Sequence, residues 1–148
     1  MKRPPRPPKE PVINREMALG LIVVPIVDTI AILCVFAEGL ALYPGNLAAA
    51  QTMAFIALCV SELLRAYTAR SEHISIFSQG VFSNKWMQPA VASSLLLVLM
   101  TIYVPFLRPF FGTVYLGLSD WLVILPFVFM APIAAEIVKI INRKIAKK

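Results

Sequence analysis

Charged residues and the side chains that usually build catalytic centres are scarce in this sequence. Only 15% of its 148 residues are Asp, Glu, Lys or Arg, and 59% are hydrophobic, whereas soluble domains carry about 25% charged residues. The single histidine, His73, has no Ser, Cys or Asp arrangement around it. Neither Asp28 nor Asp120 stands in a phosphorylation or nucleotide-binding motif, and no glycine-rich phosphate loop occurs. These absences exclude a self-contained hydrolase or ATPase within the 148 residues.

Cysteine is equally sparse. Cys34 and Cys59 both fall inside apolar runs and lack the spacing of metal ligands. A disulfide framework or a zinc site is therefore not expected, and both residues are interpreted as buried, inert thiols.

What the sequence does contain is four long apolar runs, at residues 17–37, 47–64, 90–107 and 121–141. A helix needs roughly 20 predominantly apolar residues to cross the hydrocarbon core of a bilayer. The runs show no alternation of period two, which favours helices over a membrane β-barrel. The predicted fold class is an all-α membrane protein with four transmembrane helices, located as a multi-pass protein in the cell membrane.

Basic residues are distributed unevenly between the connections of these runs. Of the fourteen Lys and Arg residues, all but Arg108 lie before the first run, between the second and third, or at the end of the fourth. By the positive-inside rule this pattern predicts that both termini are cytoplasmic. The net charge of +6 is thus a topology signal with some attraction to anionic lipid, and it requires no nucleic-acid partner.

Two units are expected along the chain. Residues 1–14, "MKRPPRPPKEPVIN", hold five of the twelve prolines and predict an extended, basic cytoplasmic strap, with an unstructured tail as the alternative. Residues 15–148 form the four-span domain. Within it, "YPGN" at 43–46 predicts a tight turn, and the amphipathic segment 73–89, with Trp86 as an anchor, is expected to lie along the interface.

Six segments, in order, carry a family resemblance: "RPPRPPKEP" (3–11), "AQTMAF" (50–55), "FSQGVFSNKWM" (77–87), "IYVPFLRPFFGT" (102–113), "LSDWLVIL" (118–125) and "EIVKIINR" (136–143). Together they resemble the C-terminal transmembrane region of P-type cation-transporting ATPases, calcium-pump group. The resemblance implies the seventh to tenth spans of a pump, with the strap joining the sixth span to the seventh. It also implies that Met1 is an internal methionine and the chain a fragment or split-gene product.

The resemblance places Glu62 on the position of a calcium-coordinating glutamate in sarcoplasmic-reticulum-type pumps, although many relatives carry glutamine there. The alternative is a helix-surface pair between Glu62 and Arg65, three residues on. Calcium takes six to eight oxygen ligands, and the resemblance implies that the others come from spans absent from this chain. The chain alone is therefore expected to bind no cofactor and to lack ATPase activity. Ca²⁺ is implied as the ion transported by the parent pump, and the rest of that pump as the partner.

Asp28 lies near the middle of the first run. Such a residue costs about 2.5–3.5 kcal/mol on insertion scales and must face protein or water. A protonated carboxyl bonded to a neighbouring helix is the favoured interpretation, with a proton or cation relay as the alternative. Near the end of the last run, Glu136 and Lys139 are spaced to form an ion pair with a structural role.

Two other classes of function remain open from the sequence. One is a non-catalytic membrane subunit or regulator of a separately encoded pump. The other is a small four-span, proton-coupled transporter in which Asp28 is the coupling carboxylate.

Overall fold

The structure is a computed structural model that describes residues 15–69 and 84–145. Within these residues it contains helices and no strand. The helices are α1 (Arg15–Leu42), α2 (Leu47–Thr68), α3 (Met87–Tyr103), α4 (Arg108–Phe111), α5 (Leu118–Val128) and α6 (Met130–Ile145). The predicted strap, His73 and most of the predicted interfacial segment lie outside the described residues, so those expectations stay predictions.

Three of the four apolar runs form segments long and apolar enough to cross a membrane: Ala18–Leu42, Leu47–Thr68 and Leu118–Asn142. The third run forms α3, which has 17 residues and would extend about 25 Å, a little less than a typical hydrocarbon core. It ends at Tyr103, earlier than the predicted 107, because Val104 precedes Pro105 and is extended, with ψ 112°. The described residues thus hold three to four candidate spans.

The predicted turn between the first two spans is confirmed. The Asn46 N–H donates to the carbonyl of Tyr43 at 3.0 Å. Gly45 has a φ of 84°, the conformation that favours glycine at this position of the turn. The Asn46 side chain then accepts from the N–H of Ala49 at 3.3 Å and caps the start of α2. One short segment therefore both reverses the chain and begins the next helix.

Small residues allow α1 and α2 to approach closely beside this turn. A Cβ atom built on Gly39 would lie 2.7 Å from the Cα of Ala50. Ala49 and Ala50 are themselves buried. Small residues at helix contacts are the usual means by which membrane helices pack backbone against backbone.

The last apolar run, predicted as one span over 121–141, is interrupted at Phe129 between α5 and α6. Pro126 and Pro132 flank the interruption, and neither has an N–H to donate to the preceding turn. The N–H of Phe129 still bonds the carbonyl of Leu125 at 3.3 Å. The two helices therefore continue one another as a single apolar segment with a break.

The apolar core lies between α1, α2, α5, the end of α3 and the loop at 112–117, at the end of the bundle that carries the 43–46 turn. Its fully buried members are Val35, Met53, Ile56, Ile102, Leu116 and Ile124. Many large apolar side chains instead face outward along α1, α3, α5 and α6, as expected for helices whose outer surface contacts lipid.

Candidate functional site

The candidate site lies on α2, on a strip of side chains that the other described helices leave uncovered. Gln51, Leu58, Glu62 and Ala66 are exposed there, at spacings of one or two helical turns. The opposite face of α2 is buried. Glutamine and glutamate are unusual on the outer surface of a membrane helix, because lipid gives their polar atoms no partners.

Glu62 is the carboxylate on this strip, and its side chain is 52% exposed. Its Oε1 atom lies 3.1 Å from Nη2 of Arg65. The helix-surface pair that the sequence suggested is therefore formed. Since the carboxylate also opens away from the bundle, the pair does not prevent Glu62 from reaching a group outside this chain.

Arg65 occupies a different place from the one expected. The sequence predicted that Arg65 lies in the connection between the second and third spans, where its charge would indicate the membrane orientation. In the structure α2 continues past it to Thr68. Its side chain is 34% exposed and forms a second ion pair, with Asp28 on α1. Sequence reasoning thus missed the residue that connects the two candidate carboxylates.

Asp28 is buried, with 7% of its side chain exposed, and its Oδ2 atom lies 3.1 Å from the same Nη2 atom of Arg65. It bonds a neighbouring helix, as expected. The partner is the guanidinium of Arg65, on α2.

Asp28, Arg65 and Glu62 form a row of alternating charges that runs from the buried contact between α1 and α2 to the exposed strip. Among residues 15–69 and 84–145, no group of three or more His, Cys, Asp or Glu lies close enough to hold a metal ion. Ca²⁺ prefers six to eight oxygen ligands. Glu62 is one carboxylate, so a calcium site that included it would need further oxygen ligands.

A second charged group stabilises the same end of the bundle. Nζ of Lys139 on α6 lies 3.0 Å from Oε1 of Glu136, which confirms the predicted pair. The same ammonium donates to the carbonyl of Thr68 at 2.8 Å. A buried lysine thereby satisfies a carbonyl at the C-terminal end of α2, where the helix dipole favours a positive charge.

The opposite end of the bundle is held by Asp120. Its Oδ1 atom accepts from the Tyr43 hydroxyl at 2.8 Å, and its Oδ2 atom accepts from the N–H of Gly117 at 2.7 Å. Tyr43 lies in the turn outside the spans, and the hydrogen bond to Asp120 raises the pKa of its hydroxyl, with burial adding to the effect. Asp120 therefore fastens the turn to the start of α5 and belongs to the framework rather than to the candidate site.

The chain matches a protein-family model described as "Cation transporting ATPase, C-terminus" over residues 1–141. The chain belongs to this family. It is 38% identical over 129 residues to a calcium-transporting ATPase of Bacillus subtilis, covering 84% of the chain and 14% of that protein. It is 30% identical over 144 residues to calcium-transporting ATPase 1 of Saccharomyces cerevisiae, covering 97% of the chain and 15% of that protein.

A human relative, calcium-transporting ATPase type 2C member 1, is 30% identical over 146 residues, with 97% of the chain and 16% of the relative covered. The chain thus spans about one seventh of the length of the curated relatives it matches. Membership in the family, together with the long apolar helices, identifies a multi-pass membrane protein.

Proposed function

We propose that this chain is the C-terminal transmembrane module of a calcium-transporting P-type ATPase. In this role it supports the helices that carry the ion, and Glu62 contributes a carboxylate oxygen to the cation path. The match to the C-terminal family model supports the module, and the relatives with calcium-transporting names support the ion.

The observation that carries the assignment of Glu62 is its position on the uncovered strip of α2. A carboxylate that is half exposed on a membrane helix is costly against lipid. Against additional helices the same position is favourable, because a divalent cation and further oxygen ligands can neutralise it. Gln51, about three turns from Glu62 on the strip, extends the polar surface that such helices would cover.

Both termini are proposed to be cytoplasmic, as the distribution of Lys and Arg predicts. In that orientation the row formed by Asp28, Arg65 and Glu62 would lie in the cytoplasmic half of the bundle, and the 43–46 turn would lie on the opposite side of the membrane. The phosphorylation and nucleotide-binding steps would belong to the remainder of the pump.

The test pairs this chain with a pump that lacks the matching region. The 148-residue chain is co-expressed with the Bacillus subtilis relative truncated before the segment that the chain matches. Calcium-dependent ATP hydrolysis and ⁴⁵Ca²⁺ uptake into membrane vesicles are then measured. We expect both activities with the chain and neither without it. Absence of both activities when the two polypeptides are stably present together would refute the proposed module.

A matched pair of variants tests Glu62. Glu62→Gln should raise the half-saturating Ca²⁺ concentration about tenfold or more, since a ligand charge is removed. Glu38→Gln removes another exposed carboxylate, which lies on α1 near the 43–46 turn and thus toward the other end of the bundle from Glu62, and should leave that concentration unchanged. Equal effects of the two substitutions would argue that general surface charge, and not ligation, is responsible.

A further inference from the structure

The direction in which Arg65 extends is the first observation. Asp28 lies about 14 residues before the end of α1, roughly 21 Å along the helix axis, and Arg65 lies about 18 residues after the start of α2, roughly 27 Å along it. Because the 43–46 turn joins the two helices at that end, Arg65 must extend toward the middle of the membrane to reach Asp28. Long basic side chains near helix ends ordinarily extend the other way, toward the interface.

The second observation is that one nitrogen serves both carboxylates. Nη2 of Arg65 lies 3.1 Å from Asp28 and 3.1 Å from Glu62. The two contacts differ in their surroundings, since Asp28 is buried between α1 and α2 whereas Glu62 is half exposed on the strip. The buried contact is the less screened of the two, so it holds the guanidinium more firmly.

From this geometry we infer that Arg65 is a tethered counter-charge of Glu62 and that Asp28 is the positioning residue that holds it. The inference rests on the proposed function. Without a transported ion, the guanidinium neutralises Glu62. When a divalent cation binds Glu62, the guanidinium stays on Asp28, so Glu62 is released without leaving an unpaired arginine in the membrane. Arg65 thereby lowers the affinity of the Glu62 site for the cation.

The inference predicts opposite effects for the two partners of Glu62. Arg65→Gln removes the competing charge and should lower the half-saturating Ca²⁺ concentration. Asp28→Asn leaves the guanidinium with Glu62 as its remaining carboxylate and should raise that concentration. A change of roughly five- to tenfold in each direction is expected, in the range of ordinary coupling between two sites. Asp28→Glu keeps the carboxylate and should stay close to the unsubstituted chain.

The experiment measures calcium-dependent ATP hydrolysis in the reconstituted pair of polypeptides described above, over a series of Ca²⁺ concentrations. Its decisive comparison is Asp28→Asn alone against Asp28→Asn combined with Arg65→Gln. If Asp28 acts through Arg65, the double variant should behave like Arg65→Gln. Combining Asp28→Asn with Glu62→Gln should likewise remove the effect of Asp28→Asn, since the competing carboxylate is gone.

Each of the remaining outcomes would overturn one part of the inference. If Asp28→Asn weakens Ca²⁺ activation equally with and without Arg65, Asp28 acts on the ion directly and the positioning role is wrong. If Arg65→Gln fails to strengthen Ca²⁺ activation, the competition is wrong. If Glu62→Gln has no effect while the pair remains active, the ligand assignment fails and this inference with it. An inactive pair with the unsubstituted chain overturns the proposed function itself.

Discussion

The close contact at Gly39 yields a prediction whose size follows from the structure. A Cβ atom at this position would lie 2.7 Å from Cα of Ala50, 3.0 Å from its Cβ and 3.2 Å from Sδ of Met53. Carbon atoms in good contact are about 3.5–4.0 Å apart, so α1 and α2 would have to separate by up to about 1 Å. The nearest atom belongs to a backbone and cannot rotate away. Gly39→Ala should therefore lower the free energy of unfolding by about 1–3 kcal/mol, the usual cost of overpacking.

Gly20, on the same helix, provides the matched control. A Cβ atom there would meet Cγ1 of Val138 at 3.9 Å, an ordinary contact. Gly20→Ala should be neutral or stabilising by up to about 1 kcal/mol, because alanine is the better helix former. The purified chain would be unfolded in mixed detergent micelles while its helicity is followed by circular dichroism. If Gly39→Ala proves no less stable than Gly20→Ala, the two helices do not meet closely at Gly39.

Three further outcomes follow from the polar contacts. The hydrogen bond to Asp120 raises the pKa of Tyr43, so the stability that this bond gives the folded chain should be complete below about pH 10 and lost at higher pH. Tyr43→Phe should therefore flatten the fall in unfolding free energy between about pH 9 and 12. An unchanged slope would refute this. Asp28→Asn should destabilise the chain by about 1–3 kcal/mol, because the partly exposed guanidinium of Arg65 loses the carboxylate that is buried beside it. Adding Arg65→Gln should restore part of the loss, since no charge then remains at this contact; additive losses in thermal unfolding would contradict the ion pair. Lys139→Met should lower the free energy of unfolding by about 1.5–3 kcal/mol in the same assay, because the charge-assisted hydrogen bond to the Thr68 carbonyl disappears. A stability equal to that of the unsubstituted chain would show that this hydrogen bond is dispensable.

The sequence predicted correctly those features that depend on residues close to one another along the chain. In lipid a helix satisfies its own backbone groups, so an apolar run of sufficient length predicts a span whatever surrounds it. The turn at 43–46 depends on Pro44 and on Gly45, whose conformation a short stretch of sequence determines. The family was equally accessible, because ordered motifs reveal it before any coordinates are known. The short third helix is local as well, and Pro105 could have predicted its end.

Tertiary structure decided which charges and which small residues meet. Glu62 and Arg65 are neighbours on one helix, so their pairing was foreseeable. Contact between Arg65 and Asp28 depends on how far α2 continues and on the relative rotation and axial offset of two helices, and hydropathy records none of these quantities. The same holds for Gly39 beside Ala50. In a membrane bundle, where lipid is as apolar as the helix surface, close packing and polar pairing select that arrangement, and both involve residues distant in sequence.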